Sequence, residues 1–251
     1  MIKTRNLYDN GNMKLIGELG NVKVFEHQKD LSVSPSSAME SYFASEMNVR
    51  RRQVLLELNG DSYTVQAGAM QWMSGAVKMS SGTKGVGDFI GKAISAKMTK
   101  ESTVKPIYTG NGLVMLEPTF KHILLEDISQ WGGLVLEDGL FLACQSCVEQ
   151  KIVSRTSLSS AVAGREGLFN LCLTGSGVAV LESPVPRDEL IEFELSDDEV
   201  KIDGNMAIAW SNSLKFTVER SSKSLVGSAI SGEGLVNVYR GTGRILMAPT
   251  Q

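Results

Sequence analysis

Tyr108-Thr-Gly110-Asn-Gly112-Leu-Val-Met-Leu116-Glu-Pro118 decides how this chain is read, because the stretch occurs three times. It returns as Leu173-Thr-Gly175-Ser-Gly177-Val-Ala-Val-Leu181-Glu-Ser-Pro184 and again as Tyr239-Arg-Gly241-Thr-Gly243-Arg-Ile-Leu-Met247-Ala-Pro249. The spacings are 65 residues (110 to 175) and 66 residues (175 to 241). A second marker keeps step: Val135-Leu-Glu-Asp138-Gly139 matches Val200-Lys-Ile-Asp203-Gly204, with a weaker first copy at Ala67-Gly68. A third precedes each glycine pair, at Glu101, Glu166 and Glu233. Markers that recur in one order at one period indicate tandem copies of one supersecondary unit. The chain divides on this reading into an amino-terminal extension, residues 1–50, and a body, 51–251, of three units (51–116, 117–181 and 182–251).

Each unit carries apolar runs of four to eight residues broken by Gly, Asn and Asp, the signature of strands joined by tight connections. The fold class expected is mainly β: three similar units of about 65 residues in a pseudo-threefold arrangement, with short helices and a strand and helix extension. The Thr-Gly-x-Gly elements read as hairpin turns, where glycine takes positive φ without steric cost. One short helix is expected per unit, at 88–98, 158–163 and 222–230. In the extension, Lys14 to Phe25 reads as a strand pair around Gly20-Asn21. Ser37 to Arg50 reads as a helix whose Met39, Tyr42, Phe43 and Met47 share one face that must cover something.

Composition excludes several classes. The chain has 251 residues, 42% hydrophobic and 21% charged, so it is globular and neither disordered nor fibrous. Its 25 Lys+Arg against 28 Asp+Glu leave a net charge of −3, with no global pull toward nucleic acid or an anionic bilayer. Three cysteines suit a reducing compartment, and a cytoplasmic location is the expectation. No run approaches the roughly 20 apolar residues of a membrane-spanning helix.

The pieces Gln66-Ala-Gly-Ala-Met-Gln-Trp72, Gly85 to Lys97, Ser231-Gly-Glu-Gly-Leu235 and Gly241-Thr-Gly243 together resemble the altered-inheritance-of-mitochondria family, from about residue 50 onward. The resemblance implies a β-rich body of three similar units, related in fold to the tryptophan RNA-binding attenuation protein. For eukaryotic members it implies association with the mitochondrial inner membrane and a role in organising membrane complexes. It supplies no catalytic residues, and because nothing at the amino terminus resembles a mitochondrial presequence, that location is not expected for this chain.

Motifs for chemistry are weak. Cys144-Gln-Ser-Cys147 ends a predicted strand, whereas a redox Cys-x-x-Cys belongs at a helix start and a zinc site needs two further ligands. His27 and His122 leave a nucleophilic triad poorly supplied, and no Gly-x-Ser-x-Gly elbow is present. Gly82 to Lys92 fails the phosphate-loop pattern at Val86 and Ala93. The acidic run Glu182 to Asp203 offers carboxylates for a glycosidase or Ca²⁺, but Glu192 and Glu194 alternate with Ile191, Phe193 and Leu195 as the solvent face of a strand does. Two candidate surfaces stand out. Glu101, Glu166 and Glu233 recur once per unit, and either converge on an axis or each tie a helix end to a strand. Phe89, Ile90, Lys92, Ile94 and Lys97 lie on a short basic amphipathic helix suited to a partner or a membrane interface.

The function expected is therefore a non-enzymatic scaffold or binding protein without cofactor or metal, assisting membrane-associated complexes. Its partner is another protein or a further copy of itself, with peripheral membrane contact left open. The alternatives are nucleic-acid binding by analogy of fold, disfavoured by the charge and by 6% aromatic residues, and an enzyme whose pocket is assembled between repeats.

Overall fold

A computed structural model describes residues 3–81, 105–154, 169–220 and 235–250. The three predicted helices at 88–98, 158–163 and 222–230 lie outside the described residues. Strands dominate, as their apolar alternation and glycine punctuation predict. The extension forms β1 (Met13–Leu19) and β2 (Val22–His27), paired antiparallel around Gly20, and one helix, α1 (Ala38–Glu46). Then follow β3 (Arg52–Val65), β4 (Met70–Ser80) and β5 (Ile107–Leu116). The middle segment is cut finer, into β6 (His122–Asp127), β7 (Leu134–Leu136), β8 (Phe141–Gln145), β9 (Glu149–Ser154), β10 (Phe169–Thr174) and β11 (Val178–Ser183). The last holds β12 (Ile191–Asp203), β13 (Ala207–Ser211), β14 (Lys215–Arg220) and β15 (Leu235–Met247).

Two curled sheets result. The first has eight strands in the order β1-β2-β3-β8-β11-β6, with β5 also on β3 and β4 on β5. Because β1 lies against β6 without pairing to it, this sheet is a nearly closed barrel. The second has seven strands, β12-β15-β13-β7-β10-β9, with β14 also on β15. Val54, Leu56, Leu58, Tyr63, Val114 and Val180 pack together in the first sheet. Trp131, Leu134, Leu173, Leu181, Ile208 and Leu246 join residues of both sheets in another cluster, each such buried side chain contributing about 1.5–3 kcal/mol.

The glycine pairs are not hairpin turns. β5 and β15 run straight through theirs, and Gly175–Gly177 carries the chain out of β10 in one sheet into β11 in the other. Within β5 the neighbours stay β3 and β4 on both sides of Gly110–Gly112, whereas β15 changes its neighbour along one edge at Gly241–Gly243. Thus β15 meets β14 with residues 235–240 and β13 with residues 245–247. The long partner strands bulge opposite, between Asn59 and Ser62 in β3 and between Leu195 and Asp198 in β12. At Gly112 the backbone has φ +155°, and a Cβ would fall on the Ser74 carbonyl oxygen of β4. No side chain fits so close a backbone approach, which is why the turn signal and the bend signal look alike in sequence.

The middle segment is shared between the sheets, and its two seams with its neighbours are alike. In one, Tyr63, Thr64 and Val65 of β3 pair with Gln145, Cys144 and Ala143 of β8. In the other, Leu134, Val135 and Leu136 of β7 pair with Ser211, Trp210 and Ala209 of β13. The flanking bonds also correspond. Gln66 N–H donates to Leu142 O (2.8 Å) and Ser146 N–H to Ser62 O (2.8 Å), while Glu137 N–H donates to Ile208 O (2.8 Å) and Asn212 N–H to Gly133 O (2.9 Å).

Replacement of Gly112 by alanine is expected to cost about 3 kcal/mol or more, because backbone must move. At Gly175, φ is +94° but the nearest obstacle is the Cys147 carbonyl oxygen at 3.6 Å, so alanine there should cost only the conformational penalty of about 1–2 kcal/mol. Urea midpoints of the two variants measure the difference; equal losses would refute the close-approach explanation.

Candidate functional site

Beside the β2–β3 ladder, a buried cation ties the extension to the body. Arg52 opens β3 with its side chain 2% exposed and meets Glu26 of β2, 10% exposed, at 2.8 Å. The guanidinium also donates to the Asn48 carbonyl (3.1 Å) and side-chain oxygen (2.8 Å), and to the carbonyls of Arg50 and Phe120 (3.3 Å each). The planar fork of arginine fits this many divergent acceptors, and each one desolvated without it would be costly. Arg50 adds a bond to Glu26 at 3.1 Å and one to the Ser45 carbonyl at 3.0 Å, which fixes the end of α1.

Below α1 lies a pocket of about 220 Å³, lined by His27, Asp30, Glu40, Ser41, Arg51 and Phe120 among others. Arg51 pairs with Asp30 at 2.9 Å and lies over the Phe120 ring at 5.4 Å. Hydrogen bonds from Ser32 hold the Asp30 carboxyl below its usual range, with the Arg51 charge adding to the effect. His27 Nε2 shares a hydrogen bond with Gln53 Oε1 at 2.9 Å. Ser41, His27 and Asp30 thus border one pocket, but the partners of His27 and Asp30 are Gln53, Ser32 and Arg51 rather than one another, so the trio is not arranged as a triad.

The outer side of α1 departs from expectation. The face predicted to cover something is turned outward: Met39 is 71% exposed, Tyr42 58%, Phe43 60% and Met47 77%. Ser45 is the buried residue of the helix instead. α1 ends at Glu46, short of the predicted Arg50, because Asn48 takes a left-handed φ of +63° and turns its carbonyl to Arg52. The helix is held by polar bonds to its end, which frees its apolar row. Leu31, Val49 and Phe120 are also exposed.

The remaining residues singled out by sequence have structural surroundings. Cys144 is buried and Cys147 exposed, both free thiols; burial pushes Cys144 up to about 12, and Cys147 Sγ donates to the Ser176 carbonyl at 3.3 Å. The pair packs the crossing from β8 to β9 beside Gly177, with no thiolate character at Cys144. Cys172 is buried and free too. In the acidic run, Glu192 binds Arg187 at 2.7 Å and Arg244 at 3.2 Å, and Glu199 binds Arg240. Asp197 and Asp198 sit at the bulge of β12 and not in a turn between strands. Among the described residues no group of three His, Cys, Asp or Glu side chains is placed to hold a metal. Glu101, Glu166 and Glu233, and the helix residues Phe89, Ile90, Lys92, Ile94 and Lys97, lie outside the described residues.

Residues 46–250 match the family model for mitochondrial biogenesis AIM24. The chain belongs to the mitochondrial biogenesis AIM24 family. No curated protein matches this AIM24 chain in sequence. A crystal structure of a Streptococcus pyogenes protein is similar to it in fold, with a TM-score of 0.58 and 24% identity over 82% of this chain and 90% of that one. Among the described residues of the AIM24 chain, no helix is long and apolar enough to cross a membrane.

In the sequence Arg50-Arg51-Arg52 is only a compact basic run, and the buried hub was missed. The available signal was position: Arg52 opens a strand whose next four residues are all buried. Arg52→Met should destabilise by about 3–5 kcal/mol by leaving the buried Glu26 with its Arg50 contact but without the Arg52 partner of its second oxygen, and Arg52→Met with Glu26→Met should recover part of that loss, both read by urea unfolding. A pH effect accompanies the hub. Burial, then the Arg52 charge, holds the His122 imidazole below its ordinary value of 6.5. The unfolded chain therefore takes up this proton first, so stability contributed by neutral His122 is present above about pH 6.5 and lost as pH falls below it. His122→Gln should flatten the decline in urea midpoint between about pH 7 and about pH 5.5; an unchanged slope would assign it elsewhere.

Proposed function

We propose that this AIM24 chain is a non-catalytic scaffold that binds a protein partner through the apolar row of α1. The observation that carries this reading is the outward display of Met39, Tyr42, Phe43 and Met47 on a helix fixed at its end by Arg50 and Arg52. A rigid helix with anchors at three- and four-residue steps is the usual means of entering a partner's apolar groove, and Met and aromatic side chains are favoured anchors.

Charge favours a protein over a bilayer. α1 carries Glu40 and Glu46 and no basic residue, whereas helices drawn to anionic lipid display Lys and Arg. The complementary groove would be apolar with a basic rim. Nucleic acid fits poorly, because each arginine of the 50–52 run is paired with an acidic side chain, Glu26 or Asp30. The engaged side chains of the pocket favour binding over catalysis, and three free thiols favour a reducing compartment such as the cytoplasm.

A photo-crosslinking residue placed at Phe43 in living cells should yield one dominant protein adduct, absent when Met39→Ser and Met47→Ser are added. The two serine substitutions should leave the thermal midpoint nearly unchanged, since exposed side chains contribute within about 0.5 kcal/mol each. Cosedimentation with anionic vesicles that depends on the same residues would replace the protein partner with lipid, and loss of folding in the variants would show that the row packs on the body.

A further inference from the structure

The two seams inside the chain leave a third half-made at each end. Aligned on their glycine pairs, the three segments place Ala143, Ala209 and Trp72 at one position and Val65, Leu136 and Ile202 at another. The back of β3 pairs with the front of β8, and β7 pairs with the front of β13. The next member of this series would set the back of β12 against the front of β4. Within one molecule that pairing is not made. Among the described strands β12 pairs with β15 alone and β4 with β5 alone.

We propose that a second copy of this chain completes the seam: the β4 edge of one molecule adds to the β12 edge of the next, head to tail. The existing seams fix the register. Ile202 faces Trp72, Lys201 faces Met73 and Val200 faces Ser74, as Leu136, Val135 and Leu134 face Ala209, Trp210 and Ser211. The flanking bonds follow as well. Asp203 N–H donates to the Gln71 carbonyl as Glu137 N–H does to that of Ile208, and Gly75 N–H donates to the Glu199 carbonyl as Asn212 N–H does to that of Gly133.

The edges suit this partner. Gln71 sits at a bulge between Met70 and Trp72 that corresponds to the one holding Ile208 between Ala207 and Ala209, so its carbonyl is available in the same way. Gln71, Met73 and Gly75 are exposed along β4, as are Glu199, Lys201 and Asp203 along β12. Long unpaired edges are normally shortened, charged or covered. Here the β4 edge carries no charge from Met70 to Val77, and Ile202 opposite Trp72 is a β-branched and aromatic pair of the kind that stabilises adjoining strands. The contact joins two different surfaces, so it is heterologous and repeats from copy to copy until a ring closes or a filament grows. It does not involve α1 and stands apart from the function proposed above.

The test uses the full chain carrying Cys147→Ser, with Met73→Cys and Lys201→Cys in separate preparations. Oxidised alone, neither should form a disulfide-linked pair. Oxidised after mixing in equal amounts, the two should give a linked two-chain species whose disulfide maps to positions 73 and 201. Linkage in either preparation alone, or none in the mixture, overturns the register. Sedimentation of the unmodified chain should show a species larger than one chain at tens of micromolar. Met73→Lys should reduce it to single chains by setting like charges opposite one another, and adding Lys201→Glu should restore it. A single-chain species for the unmodified protein, or no restoration by the second substitution, overturns the assembly.

Discussion

A strand must bend where its backbone comes closest to the strand alongside or where the chain passes to new neighbours, and this molecule depends on that being possible without a side chain. Gly110 and Gly112 sit where a Cβ would strike the β4 backbone, and Gly243 sits where it would come within 2.8 Å of the Ser211 side chain. The bulges of β3 and β12 absorb the bend from the other side. Remove the bends and β10 could not continue into β11 across the two sheets, nor β15 serve both β13 and β14.

The second structural constraint is electrostatic and local. The hairpin β1–β2 and helix α1 join the body where Arg52 gathers Glu26, Asn48 and the Phe120 carbonyl. A buried charge is tolerated only with such complete pairing, and the pairing in turn dictates where the helix ends. Fastening a helix through its terminus instead of its apolar side leaves that side free for a partner, so an unusual buried ion and an unusual exposed surface have one cause. The acidic strand β12 is balanced differently, by exposed pairs with Arg187, Arg240 and Arg244 that are screened and weak singly.

Much of the fold was legible in the sequence. The strand pair around Gly20-Asn21 and the predominance of β-structure follow from apolar alternation and recurring glycines, and the family from the resemblance carried by the motif pieces between Gln66 and Gly243. The nature of the glycine pairs did not. A positive φ serves a hairpin turn and a mid-strand bend equally, and only the neighbouring strand distinguishes them. The helix face was misassigned for a related reason. Periodicity places Met39, Tyr42, Phe43 and Met47 on one side, but it is silent on whether that side meets the core. Arg52 was hidden because three consecutive arginines look alike until burial separates them.

The sequence by itself determined that strands would form, where glycine would be needed and which family the chain belongs to, since these rest on local chemistry and motifs: glycine without a Cβ, apolar residues at period two, a motif order kept over the body. Only the tertiary structure decided which edges pair, which edges stay open, and that α1 would be held by its end. Those outcomes rest on contacts between residues far apart in the chain, such as Val65 with Ala143 and Arg52 with Glu26, whose geometry no local pattern encodes.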